Sequence, residues 1–128
     1  MPIEILTPPN PPPPLAPYSA GTKAGGFIYV SGTLAIGPNG ETMGVGDATA
    51  QTRYVIEAVK AVIEAGGGTL KHVVFNQIFL KDLSDYAAMN AVYKEYFPEN
   101  PPARYCIQTP LVRPDFLVEI ATTAYVGP

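Results

Sequence analysis

The sequence predicts an α+β fold, a mixed β-sheet with two helices on one of its faces. Three observations carry that expectation. Segments of strand character and segments of helical period follow one another in the order ββ-α-β-α-ββ. Two helices are too few to cover both faces of a sheet. With 128 residues, 47% hydrophobic and 15% charged, the chain forms one domain with a real core and a sparsely charged surface. Sparse charge points to surface covered by another subunit.

The elements follow in order. Residues 1–17 hold eight of the 15 prolines, Pro11 to Pro14 among them. Proline fixes φ and lacks an N–H, so this segment is expected as a stiff, extended N-terminal arm lying on a body formed by residues 18–128. Its PxxP pattern is common by chance and is read as part of the arm. Phe27-Ile28-Tyr29-Val30-Ser31 reads as a strand, and the turn signal Gly37-Pro38-Asn39-Gly40 predicts a hairpin or meander over residues 27–45. Asp47 or Thr49 caps a helix to about Ala65, with Val55, Ile56, Val59, Val62 and Ile63 as its apolar stripe and Gly66-Gly67-Gly68 as its stop. Val73–Leu80 reads as a central strand, apolar on both faces. Asp82 or Ser84 opens a second helix through Phe97, stopped by Pro98. Two strands close the chain, one around residues 102–108 and one around residues 116–126.

Bulk properties exclude several functions. A net charge of -3 and a pI of about 5.0 argue against nucleic acid as partner. One cysteine and one histidine cannot assemble a standard zinc site, and no cofactor is expected. No apolar run approaches the ~20 residues of a membrane helix, and no basic region followed by an apolar run marks a secretory signal. With a single, unpaired cysteine, a cytoplasmic location is the simplest expectation.

The informative residues are charged ones inside strands. Side chains alternate along a strand, so Arg104, Cys106 and Gln108 share one face and Tyr105 and Ile107 the other. In the last strand Leu117, Glu119, Ala121 and Tyr125 oppose Phe116, Val118, Ile120 and Val126. An arginine and a glutamate in strand interiors need a partner or a task. Both are expected on the helix-free face, with Ile107, Val118 and Ile120 under the helices. Arg104 suits the two-pronged binding of a carboxylate, or a structural ion pair with Glu119. Glu119 suits the positioning or deprotonation of water, or a salt-bridged role. Arg104 beside it is expected to hold its pKa down until a substrate anion neutralises the cation. Cys106 is read as a small buried side chain rather than a nucleophile, because His72 lies far along the chain at an expected surface turn. Tyr18, Ser31 and Asn90 offer polar groups for a ligand or for packing. Gly44-Val45-Gly46-Asp47 lacks the glycines and lysine of a phosphate loop and is read as a helix cap.

Five blocks together resemble a known family: Ala16-Pro17-Tyr18, Tyr29-Val30-Ser31-Gly32, Ala88-Met89-Asn90-Ala91-Val92-Tyr93, Pro102-Ala103-Arg104-Tyr105-Cys106 and Val118-Glu119-Ile120. They are similar to the signatures of the RidA/YjgF-type reactive intermediate deaminases, over residues 15 to 126. Ser31-Gly32-Thr33-Leu34-Ala35, Gln51-Thr52-Arg53 and Cys106-Ile107-Gln108 most resemble the RutC-type branch of pyrimidine utilisation. The resemblance implies a chorismate-mutase-like fold and a homotrimer with a central barrel and sites between subunits. It implies an enzyme that hydrolyses 3-aminoacrylate to malonic semialdehyde and ammonia. Arg104, with the backbone N–H of Cys106, is then the carboxylate ligand, and Glu119 holds the water. Tyr18, Ser31 and Asn90 line or support the pocket, and Gly32 lets backbone approach the ligand. Broad 2-aminoacrylate or 2-imino acid deamination, 2-aminomuconate deamination and a non-enzymatic, chaperone-like binding role are the alternatives. Thr109-Pro110-Leu111-Val112-Arg113-Pro114 departs from the family pattern near the pocket mouth. Arg113 there is read as a surface cation or as a ligand for a second carboxylate.

Overall fold

The computed structural model describes residues 2–128. It contains strands β1 (Glu4–Leu6), β2 (Gly21–Ala24), β3 (Phe27–Thr33), β4 (Val73–Leu80), β5 (Ala103–Gln108) and β6 (Val118–Tyr125). Helices α1 (Ala48–Ala65) and α2 (Tyr86–Tyr96) complete it, with short 3-10 turns at Leu70–His72 and Leu83–Asp85. The strands form one sheet in the order β1-β2-β3-β6-β4-β5. All neighbours run antiparallel except β4 and β5, which are parallel and joined through α2.

Both helices lie on one face, as the α+β expectation requires. Val55 and Ile56 of α1 and Met89, Val92 and Tyr93 of α2 pack with Ile78 and Leu80 of β4 and Val118 and Ile120 of β6. A second cluster joins Val59, Val62 and Ile63 of α1 to Ile28, Val30 and Ala124. The Asp47 side chain accepts the Ala50 N–H at 3.0 Å and starts α1, and the helix ends at Ala65 before the three glycines. The helix-free face is aromatic. Phe27, Tyr29 and Tyr125 form one group, and Tyr105 meets Phe75 and Phe79 edge-on.

Four expectations change. The N-terminal arm contains a strand. Glu4–Leu6 pairs with β2, and Leu6 is buried in the core. Residues 7–20 are therefore a proline-rich connection tied to the sheet at both ends. The hairpin partner of β3 lies before it, at β2, through a turn in which Gly25 takes φ +58°. Residues 34–45 contribute only the single bridge Ile36–Thr42. Strand β4 is not apolar on both faces, because Asn76 points into the core at 1% exposure.

The fourth change concerns the site. Arg104 lies opposite Asn76 and Cys106 opposite Ile78, so both sit on the helix-covered face. Ile107 is 47% exposed on the open face, and Glu119 is also on that open face, beside Phe79. Val118 and Ile120 do pack under the helices. Alternation says which residues share a face, and a one-residue shift exchanges the faces. Here the open face is itself apolar, so Ile107 and Tyr105 did not reveal the inward side.

One buried amide ties the layers together. Gln51 of α1 is fully buried, donates to Asp115 O at 2.8 Å and Gly44 O at 3.3 Å, and accepts Leu117 N–H at 2.8 Å. It holds the start of β6 against α1. Gln51→Leu keeps the volume but strands a buried N–H and a carbonyl, so stability should fall by about 1–3 kcal/mol. A urea titration checks this, with a lower midpoint at unchanged slope as the expected result.

Candidate active site in two halves

The first half is built around Glu119. Between Val30 and Thr33, β3 carries one residue more than β6, so the ladder bulges at Ser31-Gly32. The bulge leaves the Glu119 side chain over Gly32. A Cβ on Gly32 would collide with Glu119 Oε2 and stand 3.1 Å from its Cδ. Only glycine leaves room for the carboxyl in this position. Ser31 is held by its Oγ donating to Ser19 O and its N–H donating to Ala20 O. Glu119 faces a cleft of ≈ 540 Å³ whose walls include Leu15, Tyr18, Ser31, Val112 and Arg113. Burial pushes its carboxyl above the ordinary glutamate range, and burial is the only cause.

Arg113 is part surface cation, part cleft wall. Its Nη1 donates to Gly40 O at 2.8 Å and to Thr42 Oγ1 at 3.2 Å, and its guanidinium stands 5.0 Å from the Phe116 ring centre.

The second half is built around Arg104, on the edge strand β5 under α2. Its Nη2 donates to Asn90 Oδ1 at 2.7 Å and to Tyr86 Oη at 3.1 Å, and its Nη1 approaches Met89 Sδ at 3.9 Å. The guanidinium lies 4.7 Å from the Tyr93 ring centre. Every one of these partners is neutral. Among the described residues the one ion pair is Arg53–Glu95, on the helix surface, so Arg104 and Glu119 do not pair. The structural ion pair is thereby excluded within the chain, and Arg104 does not hold the Glu119 pKa down. Burial pushes the Cys106 thiol up, against the opposing charge of Arg104, which suits a packed thiol rather than a nucleophile. His72 is occupied elsewhere, its Nδ1 accepting the Thr69 N–H at 2.9 Å.

Glu119, Gly32, Ser31 and Tyr18 thus come together, as do Arg104, Asn90 and Cys106. The two groups are on opposite faces, with β4 between their strands. Among the described residues no group of histidine, cysteine, aspartate and glutamate could hold a metal ion. The sequence reading missed Asn76 and Thr122. Thr122 Oγ1 donates to Asn76 Oδ1 at 2.7 Å, and Asn76 Nδ2 donates to Tyr93 Oη at 3.0 Å. An asparagine within a β-branched, apolar strand was the available signal.

The family model described as Endoribonuclease L-PSP matches residues 9–126. The chain belongs to the endoribonuclease L-PSP family. This agrees with the RidA/YjgF-type resemblance. Within the family, the chain is 56% identical over 126 residues to a protein of Acinetobacter baylyi named 3-aminoacrylate deaminase RutC, covering 98% of this chain and 100% of that one. The fold matches RidA of an Antarctic Psychrobacter at TM-score 0.88 and 33% identity, over 96% of this chain and 99% of that one. It matches E. coli TdcF, solved with bound serine, at TM-score 0.86 and 30% identity, over 95% and 98%. The α+β assignment stands.

Gly32→Ala tests the first half. The added methyl should push the Glu119 carboxyl out toward water and leave the strand intact. Carbon-13 NMR titration should then show the Glu119 pKa moving down toward the ordinary value of 4.5, because desolvation is relieved. An unmoved pKa would mean that the carboxyl does not depend on the glycine.

Proposed function

We propose that the protein is a hydrolytic deaminase of small enamine acids, acting on 3-aminoacrylate as a cytoplasmic homotrimer with sites between copies. The observation that carries this reading is the Glu119 carboxyl, half-buried, unpaired, raised in pKa and facing a cleft. Such a group is protonated at higher pH than a free carboxyl and can exchange protons with a substrate. The 56% identity to a protein named for 3-aminoacrylate supports that substrate.

The reaction is 3-aminoacrylate and water to malonic semialdehyde and ammonia. The carboxyl of Glu119 gives a proton to C2, and the nitrogen lone pair forms an iminium at C3. Water adds to C3 as the Glu119 carboxylate takes its proton. The carbinolamine then expels ammonia, with that proton returned to nitrogen and the hydroxyl proton passed to the Glu119 carboxylate, which leaves the aldehyde and restores the acid. Arg104 holds the substrate carboxylate with two N–H donors. Acid–base assistance contributes roughly 10²–10⁴-fold, and positioning adds to it.

One chain cannot supply both groups to one substrate, since they leave opposite faces of the sheet. Arg104 of one copy must meet Glu119 of another. The exposed aromatic face with Tyr29, Tyr105 and Ile107 supports an assembly that covers it. The family description speaks of RNA cleavage. A net charge of -3 and a cleft with Arg113 as its cation work against binding a polyanion.

Ammonia release from freshly generated 3-aminoacrylate tests the reading. Arg104→Ala should lower kcat/KM about a hundredfold, and Glu119→Gln should lower kcat by at least about a hundredfold. Co-expressing the two variants should restore activity in about one quarter of the sites, because mixed trimers pair an intact arginine with an intact glutamate. No recovery would place the whole site within one chain. Acceleration on 2-aminoacrylate alone would make the protein a general imine-clearing enzyme, and none on either would favour a longer enamine acid or a binding role.

The pH dependence follows from burial. In the isolated chain burial raises the Glu119 carboxyl, and a substrate carboxylate that neutralises the neighbouring copy's Arg104 should keep it raised in the complex. The proton-donating form is complete below the raised pKa and is lost above it. The kcat profile should therefore fall as pH rises through that value, and Glu119→Gln should abolish that limb.

A further inference from the structure

We propose that Thr122, Asn76 and Tyr93 are positioning residues for Arg104, a buried relay that fixes where its guanidinium meets a carboxylate. The inference rests on the proposed role of Arg104 as carboxylate ligand.

The relay crosses four elements. Thr122 of β6 donates to Asn76 of β4, and Asn76 donates to Tyr93 of α2. The Tyr93 ring lies under the guanidinium of Arg104 on β5. All three relay residues are buried, at 3%, 1% and 6% exposure. A buried threonine–asparagine–tyrosine chain is a costly choice where leucine and valine would pack, because each polar atom must find a partner. Here the amide of Asn76 uses its oxygen on one side and its nitrogen on the other. That leaves Tyr93 one orientation, with its hydroxyl tied to β4 and its ring face presented to Arg104.

The chemistry explains why the holders are neutral. A carboxylate at this place would fix Arg104 firmly and cancel its charge. A ring face, the Asn90 carbonyl oxygen and the Tyr86 hydroxyl fix it while the cation stays available. Exposed Tyr86 and half-buried Asn90 grip one nitrogen, Nη2. The relay supplies the rigid floor that those contacts lack, and it is anchored in two neighbouring interior strands, β4 and β6.

The test separates positioning from simple stability. Thr122→Val keeps the volume and Tyr93→Phe keeps the ring. Each breaks one link. Two readouts are taken for wild type, both variants and Arg104→Ala: the Kd of acrylate by titration calorimetry, and KM and kcat with 3-aminoacrylate. Acrylate has the carboxylate of the substrate and no amino group, so its binding reports Arg104 without any chemistry. Both variants should weaken acrylate and raise KM together, by about fivefold, with kcat within about twofold of wild type. Arg104→Ala should weaken acrylate more than either. A purely structural relay would reduce the folded fraction, lowering apparent kcat while KM and Kd stay at wild-type values, and that result overturns the inference. Acrylate binding unaffected by Arg104→Ala overturns it too. If wild type does not turn over 3-aminoacrylate yet acrylate binding weakens in all three variants, the deaminase reading fails and the relay stands.

Discussion

Arg104 and Glu119 leave opposite faces of one sheet, two strands apart, and most of what this molecule can do follows from that separation. The parallel pairing of β5 with β4 sets Arg104 opposite Asn76 and so beneath α2. The antiparallel pairing of β6 with β4 sets Glu119 opposite Phe79, on the face without helices. No side-chain rotation brings an arginine across a sheet. Each chain therefore carries the two groups apart, and the proposed site needs a second copy to bring them together.

The two halves are unfinished in complementary ways. Glu119 is desolvated without a cation, which favours its neutral form. Arg104 is gripped by neutral groups, which keeps its charge unspent. If the two met as a buried ion pair, each would satisfy the other and neither would be available to a ligand. Within one chain, their place on different faces leaves a carboxyl raised by burial and a cation without a counter-charge. The Ser31-Gly32 bulge serves the first, since a side chain at residue 32 would evict the carboxyl. The Thr122–Asn76–Tyr93 chain lies under the second, with the Tyr93 ring 4.7 Å from the guanidinium.

Helices, most strands and the unusual charged positions Arg104 and Glu119 were legible in the sequence because they rest on local patterns. The stripe Val55–Ile63 and the cap at Asp47 are decided within one segment. Arg104 and Glu119 stood out because charge in a strand interior is unusual. What was not legible depended on pairing between distant segments. Which face Arg104 takes is set by the register against β4, and the apolar Tyr105 and Ile107 misdirected the choice because both faces of this sheet are apolar. The strand Glu4–Leu6 was hidden by the prolines that follow it, although Ile3, Ile5 and Leu6 have the apolar character of a strand. Asn76 was overlooked because one polar residue does little to the average of an eight-residue apolar run.

Those prolines have their own part in the site. Residues 7–20 leave the sheet at Leu6 and return at Gly21, neighbours in the β1–β2 ladder. Such a connection has few backbone hydrogen bonds to hold it, and an ordinary chain of that length would be mobile. Seven of its residues are proline, and none is charged. Fixing φ at half of the positions removes freedom from the unfolded chain, so ordering the segment costs less on folding. A wall built in this way stays in place without a ladder of its own. Leu15, Ala16 and Tyr18 then stand against the Glu119 cleft, and Pro8 to Pro12 close a second recess of ≈ 300 Å³ against α1. The same stiffness that marks the segment as an extended arm in the sequence lets it stand as a fixed wall of the Glu119 cleft.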